Sequence, residues 1–135
     1  MPEELNAASA QAADEARAAR RPEDPGSYGY EGCCVRTFWA VVETDGTFVR
    51  GRNVARVARL EAGQYEVVFT SDVSEGVYIA TIGRPGEATE PAGHIGVALR
   101  CCLAGSETNK GVWVDTHDPG GEYADRAFHL LVHTH

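Results

Sequence analysis

Apolar residues recur at every second position in several short stretches of this chain, and the stretches end at turn-forming residues. In the stretch Tyr65–Phe69, the side chains of Tyr65, Val67 and Phe69 share one parity. A period of two places such residues on one face of a β-strand. Asp45-Gly46 lies between two apolar-rich segments, which is a strong hairpin signal. The pattern therefore predicts short strands joined by tight turns.

The same pattern extends over most of the chain and predicts strands near residues 34–43, 47–50, 54–60, 65–71, 76–82, 94–102, 111–117 and 126–133. Turns are predicted at Asp45-Gly46, Ala62-Gly63, Ser74–Gly76 and Asp118–Gly121. Two longer loops are predicted at Arg84–Gly93 and Leu103–Lys110. Short strands with this density of turns are typical of two packed antiparallel sheets. We therefore expect an all-β fold, an antiparallel β-sandwich of about seven or eight strands.

Strand parity also predicts which side chains form the core. The expected members are large apolar residues that share a face on their strand, namely Tyr65, Val67, Phe69, Ile95, Val97, Leu99, Cys101, Val112, Val114, Phe128, Leu130 and Val132. Val57, Leu60, Ile79 and one of Phe38 or Trp39 are expected to complete the set. Each such side chain contributes about 1.5–3 kcal/mol when it is buried, which is enough for a self-sufficient domain.

The N-terminal part has a different composition and divides the chain into three parts. Residues 1–21 are rich in alanine, with acids at the start and arginines at the end, which favours a short α-helix. Its only large apolar residue is Leu5, so this helix is either solvated or packed against a partner or a further copy. Residues 22–32 form a linker rich in proline and glycine, and residues 33–135 form the β-sandwich domain.

Charge and hydropathy exclude several classes of function. The 135 residues carry a net charge of -8 and offer no basic stripe, so nucleic-acid binding is not expected. No apolar run approaches the ~20 residues of a membrane span. The N-terminus has acids where a secretory signal has positive charge, so no signal peptide is expected. We therefore expect a cytoplasmic protein as synthesised, which reaches the outside by lysis or in an assembled particle.

The four cysteines are Cys33, Cys34, Cys101 and Cys102, two adjacent pairs. Zinc sites normally space their cysteines by two to four residues, so adjacent pairs do not favour zinc. Because neighbours on a strand point to opposite faces, we expect one buried and one outward thiol in each pair. A disulfide cross-link between the two pairs is the alternative.

Trp113, Asp115 and His117 share a parity opposite to Val112 and Val114, so they are expected on an outer face. An outward tryptophan with polar neighbours can stack on a sugar ring or anchor a subunit interface. A third interpretation is that Trp113 packs under a neighbouring loop. These three residues are the candidate binding site for a partner or a glycan.

Two patterns raise metal binding, and neither has a regular ligand motif. His129, His133 and His135 alternate with the apolar residues of the last strand and share one face. Exposed histidines at a chain end are the simpler interpretation. A group of four acids near a glycine-rich turn offers oxygens to calcium, but solvated acids are the simpler interpretation: Asp115, Asp118, Glu122 and Asp125. With no nucleophile elbow or nucleotide-binding motif, the sequence predicts no enzyme, no catalytic residues and no cofactor.

Several segments together resemble a domain found at the C-termini of bacterial and phage proteins. These are DGT-x-x-RG (Asp45–Thr47 and Arg50-Gly51), GQYEVVF (Gly63–Phe69), ATIG (Ala80–Gly83), VWVDTHDPGGEYAD (Val112–Asp125) and FHLLV (Phe128–Val132). The likeness covers about residues 40–133, the size of one domain. Many such domains follow collagen-like segments and resemble tail-fibre tips, although this chain has no collagen-like repeat.

The resemblance implies a jelly-roll or fibre-tip-like sandwich, often a homotrimer, that serves as an adhesin or assembly module. No catalytic residues carry over from it. The expected function is thus a non-enzymatic structural or recognition protein of a phage-tail-like or surface particle. Residues 1–21 would attach it to a protein partner, and the two long loops would offer contacts, since binding residues concentrate on loops held by a rigid scaffold. A carbohydrate-binding module that uses Trp113 is the first alternative, and a metal-binding protein is the second.

Overall fold

The computed structural model describes residues 35–135, and the sandwich is formed by Thr37–Thr134. Its strands are β1 (Arg36–Val42), β2 (Phe48–Arg52), β3 (Val54–Glu61), β4 (Gln64–Phe69), β5 (Val77–Ile82), β6 (His94–Leu99), β7 (Gly111–His117) and β8 (Phe128–Thr134). A short 3-10 helix spans Gly105–Glu107. The predicted N-terminal helix, the linker, Cys33 and Cys34 lie outside the described residues.

The strands form two four-stranded antiparallel sheets. Sheet I has the order β2-β1-β8-β5, and sheet II has the order β3-β4-β7-β6. Neighbours in sequence pair as hairpins in β1-β2, β3-β4 and β6-β7, while β8 returns to pair with β5. The predicted all-β antiparallel fold is confirmed, and the predicted strands lie close to their observed bounds except that β6 ends at Leu99, before the predicted end at residue 102.

The core lies between the sheets and takes one parity from each strand. Phe38 of sheet I meets Phe69 of sheet II edge to face, with ring centroids 5.5 Å apart. Tyr65 of sheet II meets Phe128 of sheet I in the same way at 5.1 Å. Such edge-to-face pairs contribute about 0.5–1.5 kcal/mol beyond the burial of their surface. Most of the predicted core is confirmed as fully buried: Tyr65, Val67, Phe69, Val112, Val114, Phe128, Leu130 and Val132.

Some predicted core residues instead face solvent. On β5 the inward residues are Tyr78 and Ala80, so Ile79 lies on the outer face and is 59% exposed. Leu60 and Leu99 lie toward the ends of edge strands and are also exposed. On β1 the core residue is Phe38, and Trp39 lies half-buried on the outer face. Periodicity defines two faces for each strand, but it does not say which face is covered.

The predicted turns at Asp45-Gly46 and Ala62-Gly63 are confirmed, and their glycines are required by the backbone. Gly46 has φ +91° and Gly63 has φ +69°, in the left-handed region that side chains disfavour. Gly63 also lies so close to β7 that a Cβ there would meet the carbonyl oxygen of Thr116. Its own N–H donates to Asp125 Oδ1 at 2.7 Å.

No helix within residues 35–135 is long and apolar enough to cross a bilayer.

Candidate functional site

The structure places Trp113, Asp115 and His117 side by side on the outer face of sheet II, and we call these three residues the polar row. They occupy alternate positions of β7, whose intervening residues Val112, Val114 and Thr116 are buried. The strand therefore fills the core with one side and presents the polar row with the other. All three side chains of the row are half-buried rather than fully solvated.

Hydrogen bonds link the members of the polar row along the strand. The indole Nε1–H of Trp113 donates to Asp115 Oδ2 at 2.7 Å. The other carboxylate oxygen of Asp115 lies 2.9 Å from Nε2 of His117. Nδ1 of His117 lies 3.1 Å from the carbonyl oxygen of Gly121. Both ring nitrogens of His117 thus face oxygen acceptors, and the ring donates to both only as the imidazolium.

Tyr123 extends the row at its lower end, because its ring stacks on His117 with centroids 4.6 Å apart. At the upper end, the guanidinium carbon of Arg100 lies 5.6 Å from the centroid of the Trp113 ring. A cation over an indole face is attracted by the ring quadrupole. The row is therefore a continuous strip that runs from a cation through an aromatic ring to a carboxylate and an imidazole.

The two strands beside β7 differ in the size of the side chains that they place next to the polar row. On β4, Glu66 is in register with Trp113. On β6, Ala98 is opposite Trp113 and Gly96 is opposite Asp115. Because these two residues have little or no side chain, the β6 side of the row is shallow. The carboxylate of Asp115 lies over Gly96, since a Cβ at Gly96 would be 3.0 Å from Asp115 Oδ1.

Glu66 is the buried charge that fixes this surface. Only 5% of the residue is exposed, and its carboxylate accepts from Arg56 Nη1 and from Arg100 Nε, each at 2.7 Å. Burial alone raises the pKa of Glu66, but the hydrogen bonds from Arg100 and Arg56 outweigh it and leave the pKa below its ordinary value. Glu66 is therefore an anion that holds Arg100 beside Trp113.

Arg56 connects this network to the loop between β6 and β7. Its Nε and Nη2 donate to the two carboxylate oxygens of Glu107, each at 2.8 Å. This fork-to-fork geometry is the strong form of an arginine–carboxylate pair. The hydrogen bonds to Glu107 and Glu66 raise the pKa of Arg56. Spacing along the sequence did not reveal Glu66, Arg56 and Arg100 as partners, since their contact depends on the register of three strands.

The predicted distribution of thiols at Cys101 and Cys102 is wrong. Strand β6 ends at Leu99, and both cysteines lie exposed in the turn that follows. Their sulfur atoms are joined to each other by a disulfide. Cys102 has φ +71°, which lets the chain reverse direction just after Arg100.

The candidate metal ligands are not assembled into a site. His129 lies 3.0 Å from the carbonyl oxygen of Arg84 through Nε2, and His133 is exposed on the same face of β8. Asp118 caps its own turn by accepting from the N–H groups of Gly120 and Glu122. Within residues 35–135, no three His, Cys, Asp or Glu side chains lie close enough together to hold an ion.

Asp125 serves a different hollow, at one end of the sandwich. This polar hollow of about 490 Å³ is lined by Glu43, Thr44, Asp45, Thr47, Arg59 and Asp125. Arg59 pairs with Asp125 at 3.0 Å, and the Tyr65 hydroxyl donates to the carbonyl oxygen of Thr44 at 2.6 Å. Burial, together with the charge of Asp125, raises the pKa of Tyr65 to about 12. Polar groups in and beside this hollow are thus bonded to one another and link the loops.

The outer face of sheet I has the opposite character. Val77, Ile79 and Leu131 are 58%, 59% and 40% exposed, and with Trp39 they form a surface that we call the apolar face. Ile79 and Leu131 are in register on β5 and β8. A groove of about 260 Å³ is lined by Trp39, Ile79 and Leu131 together with the polar residues Thr81 and His129.

The loop Arg84–Gly93 lies beside this face. Arg50 of β2 donates to the carbonyl oxygen of Pro85 at 3.0 Å, which draws the loop toward the far edge of sheet I. Arg84 pairs with Glu90 at 3.1 Å, and the second oxygen of Glu90 accepts from the N–H of Ala127 at 2.7 Å. Of the two predicted contact loops, this one thus lies by sheet I and Leu103–Lys110 lies by sheet II.

No protein-family model matches the chain, and neither the curated proteins nor the solved structures contain a significant match to it. The resemblance to fibre-tip domains is therefore still a prediction from its motifs. The physical basis for a function is the pair of outer faces described above, one apolar and one polar.

Proposed function

We propose that this domain is a non-enzymatic structural and recognition module that works as an oligomer. The observation that carries the proposal is the apolar face of sheet I. Monomeric proteins seldom expose contiguous apolar patches of large size, and such patches often mark interfaces. Here Ile79, Leu131 and Trp39 line one groove together with Thr81 and His129, and Val77 is exposed on the same strand as Ile79. Covering them with a second copy removes apolar surface from water at about 25 cal/mol per Å².

The position of β5 strengthens this proposal. It is the last strand of sheet I, and within the described residues no strand is hydrogen-bonded to its second edge, although β6 of sheet II lies close to β5. Natural proteins usually protect such an edge with charge, proline or a covering segment. Instead β5 presents Val77 and Ile79 outward. A neighbouring subunit would cover both the edge and the apolar face.

The trimeric state, the jelly-roll or fibre-tip-like topology and the particle context come from the motif resemblance. In this proposal three copies pack about a common axis through their apolar faces, and residues 1–21 attach the assembly to a phage-tail-like or surface particle. Closed rotational symmetry is the usual arrangement for copies of one chain. Sheet II and its loops then face outward and are available for recognition.

Charge placed on the apolar face tests the oligomer. Ile79→Asp is expected to dissociate the assembly, because an aspartate would be desolvated in the interface without a partner. Leu60→Asp is the matched control, since it adds the same charge at an exposed leucine of sheet II. Size-exclusion chromatography with light scattering measures both. An oligomer that survives Ile79→Asp, or that Leu60→Asp dissociates equally well, would contradict the proposed interface.

The polar row supports a second candidate function, carbohydrate binding. Trp113 offers an aromatic face, and Asp115 keeps acceptor capacity after its bonds to Trp113 and His117. On the shallow β6 side, Ala98 lies opposite Trp113, and the Asp115 carboxylate lies over Gly96. This combination of an aromatic platform and fixed polar groups suits the apolar face and the hydroxyls of a sugar ring.

A glycan array probed with the full chain tests this second function. Trp113→Ala is expected to abolish binding, and Leu60→Ala, an exposed apolar truncation on the same sheet, is expected to retain it. Circular dichroism confirms that both variants are folded. Absence of any bound glycan on the array, or binding that survives Trp113→Ala, would exclude the polar row as a glycan site.

A further inference from the structure

We propose that the Cys101–Cys102 disulfide is a site of thiol–disulfide exchange and that its redox state sets the position of Arg100 over Trp113. Both cysteines are exposed, so a dissolved thiol can reach the sulfur atoms. The pair lies directly after Arg100, the residue that closes the upper end of the polar row. A reaction at the turn therefore has a short path to the surface of sheet II.

The disulfide constrains the backbone of the turn. A disulfide between adjacent residues closes a small ring that includes the peptide bond between them. In this ring Cys102 adopts φ +71°. The left-handed region is disfavoured for any residue with a Cβ. Opening the ring removes the covalent constraint, so the backbone at Cys102 is released to adopt a right-handed or extended conformation.

The backbone of the turn also contacts the side chain of Arg100. The carbonyl oxygen of Cys101 belongs to the peptide within the ring, and Arg100 Nη1 lies 3.5 Å from it. Arg100 Nε donates to Glu66, and the guanidinium carbon lies 5.6 Å from the Trp113 ring centroid. When the peptide rotates after reduction, the carbonyl contact is lost and the guanidinium moves relative to the indole. Its bond to Glu66 limits the movement to a small distance.

The remainder of the loop is anchored, which confines the change to residues 100–103. Glu107 is held by Arg56 through two hydrogen bonds of 2.8 Å. The carbonyl oxygens of Asn109 and Lys110 accept from the N–H groups of Val73 and Phe69 at 2.9 and 2.8 Å. The N–H of Arg100 itself donates to Gly111 at 2.9 Å. Reduction is therefore expected to leave the strands and the 3-10 helix in place.

The chemical step is an exchange with a dithiol, whether a small molecule or a protein with two neighbouring thiols. A thiolate of the dithiol attacks one sulfur of the pair, and the S–S bond between Cys101 and Cys102 breaks. The second thiol of the reagent then attacks the mixed disulfide and releases the bound cysteine as a free thiol. The cysteine pair gains two electrons and two protons, and the dithiol loses them as it becomes a disulfide. A small-molecule disulfide reverses the exchange and restores the bond between Cys101 and Cys102.

Tryptophan fluorescence reports the change without any ligand. The chain has only two tryptophans, so Trp39→Phe leaves Trp113 as the sole reporter. Cys33→Ser and Cys34→Ser remove the other thiols. In this full-length background, dithiothreitol is expected to release two thiols per chain, to shift the emission maximum of Trp113 and to raise its quenching by acrylamide. Oxidised glutathione is expected to restore the starting spectrum.

The matched control adds Cys101→Ser and Cys102→Ser to the same background and is expected to show no response to dithiothreitol. If that variant fails to fold, the reduced and alkylated parent supplies the open ring without a substitution. The proposal is overturned if dithiothreitol releases no thiols from this pair, or if two thiols appear while the emission and quenching of Trp113 stay unchanged. Neither outcome depends on oligomeric state or glycan binding, so failure here is separate from failure of the proposed function.

Discussion

Replacing Glu66 with glutamine removes a buried negative charge from between two arginines. The carboxylate now accepts one hydrogen bond of 2.7 Å from Arg56 and another of 2.7 Å from Arg100. A hydrogen bond to a charged group contributes about 1.5–3 kcal/mol to stability. The two arginines are 38% and 27% exposed, so water recovers part of what they lose. We therefore expect Glu66→Gln to lower the free energy of unfolding by about 1–3 kcal/mol at neutral pH.

The sign of the pH dependence follows from the direction of the pKa shift. In the folded protein the pKa of Glu66 lies below its ordinary value of 4.5. The stabilisation from this carboxylate is thus fully present above pH 4.5 and is lost as the pH falls through the folded-state pKa. The Glu66→Gln variant lacks this carboxylate, so acid does not remove the same stabilisation from it. The difference between the wild type and the variant should be largest near neutrality and should shrink in acid.

Urea unfolding followed by far-ultraviolet circular dichroism measures both effects, at neutral pH and in steps below pH 4.5. Glu61→Gln is the control, because it makes the same chemical change at an exposed residue near the end of β3. We expect the control to stay within about 0.5 kcal/mol of the wild type. A Glu66→Gln variant as stable as the control, or a difference that persists unchanged in acid, would refute the assignment of Glu66 as the anion of this network.

Two further outcomes are expected. Gly63→Ala should lower the free energy of unfolding by about 2–4 kcal/mol, because it combines φ +69° with a Cβ that meets the Thr116 carbonyl oxygen, whereas Gly86→Ala, in open space, should leave thermal unfolding unchanged. Equal melting temperatures for the two variants would contradict this account of the turn. Deleting residues 1–21 should abolish attachment to a particle, as judged by co-sedimentation, while the far-ultraviolet spectrum of the sandwich is kept; loss of the strand signal would show instead that these residues are part of the fold.

The alternation of side chains was sufficient to predict the sheets, because burial on one face imposes a period of two. It placed Tyr65, Phe128 and the polar row on the correct sides of their strands. It failed at Ile79, where both parities of β5 carry apolar residues and only the packing of Tyr78 and Ala80 decides between them. The apolar face was therefore not predicted. Because β5 carries apolar residues on both sides, the sequence does not show which side is buried, and the side that stays exposed is unusually apolar.

The charged partners of the polar row could not be predicted from spacing. Glu66 and Arg100 are 34 residues apart, and their contact requires β7 to lie between β4 and β6. Short-range patterns carry no information about such a register. The prediction for the cysteines was wrong for a different reason. They were assigned to a strand, but β6 ends at Leu99 and the chain turns back, so adjacent sulfurs meet each other rather than opposite faces of a sheet.

Light scattering on the full chain decides whether the apolar face joins copies of this protein. The proposed trimer predicts a mass three times the 14.5 kDa of one chain, falling to that of a single chain in Ile79→Asp. A wild-type protein that stays at 14.5 kDa across the concentration range would contradict the proposal that Val77, Ile79 and Leu131 form an interface between subunits.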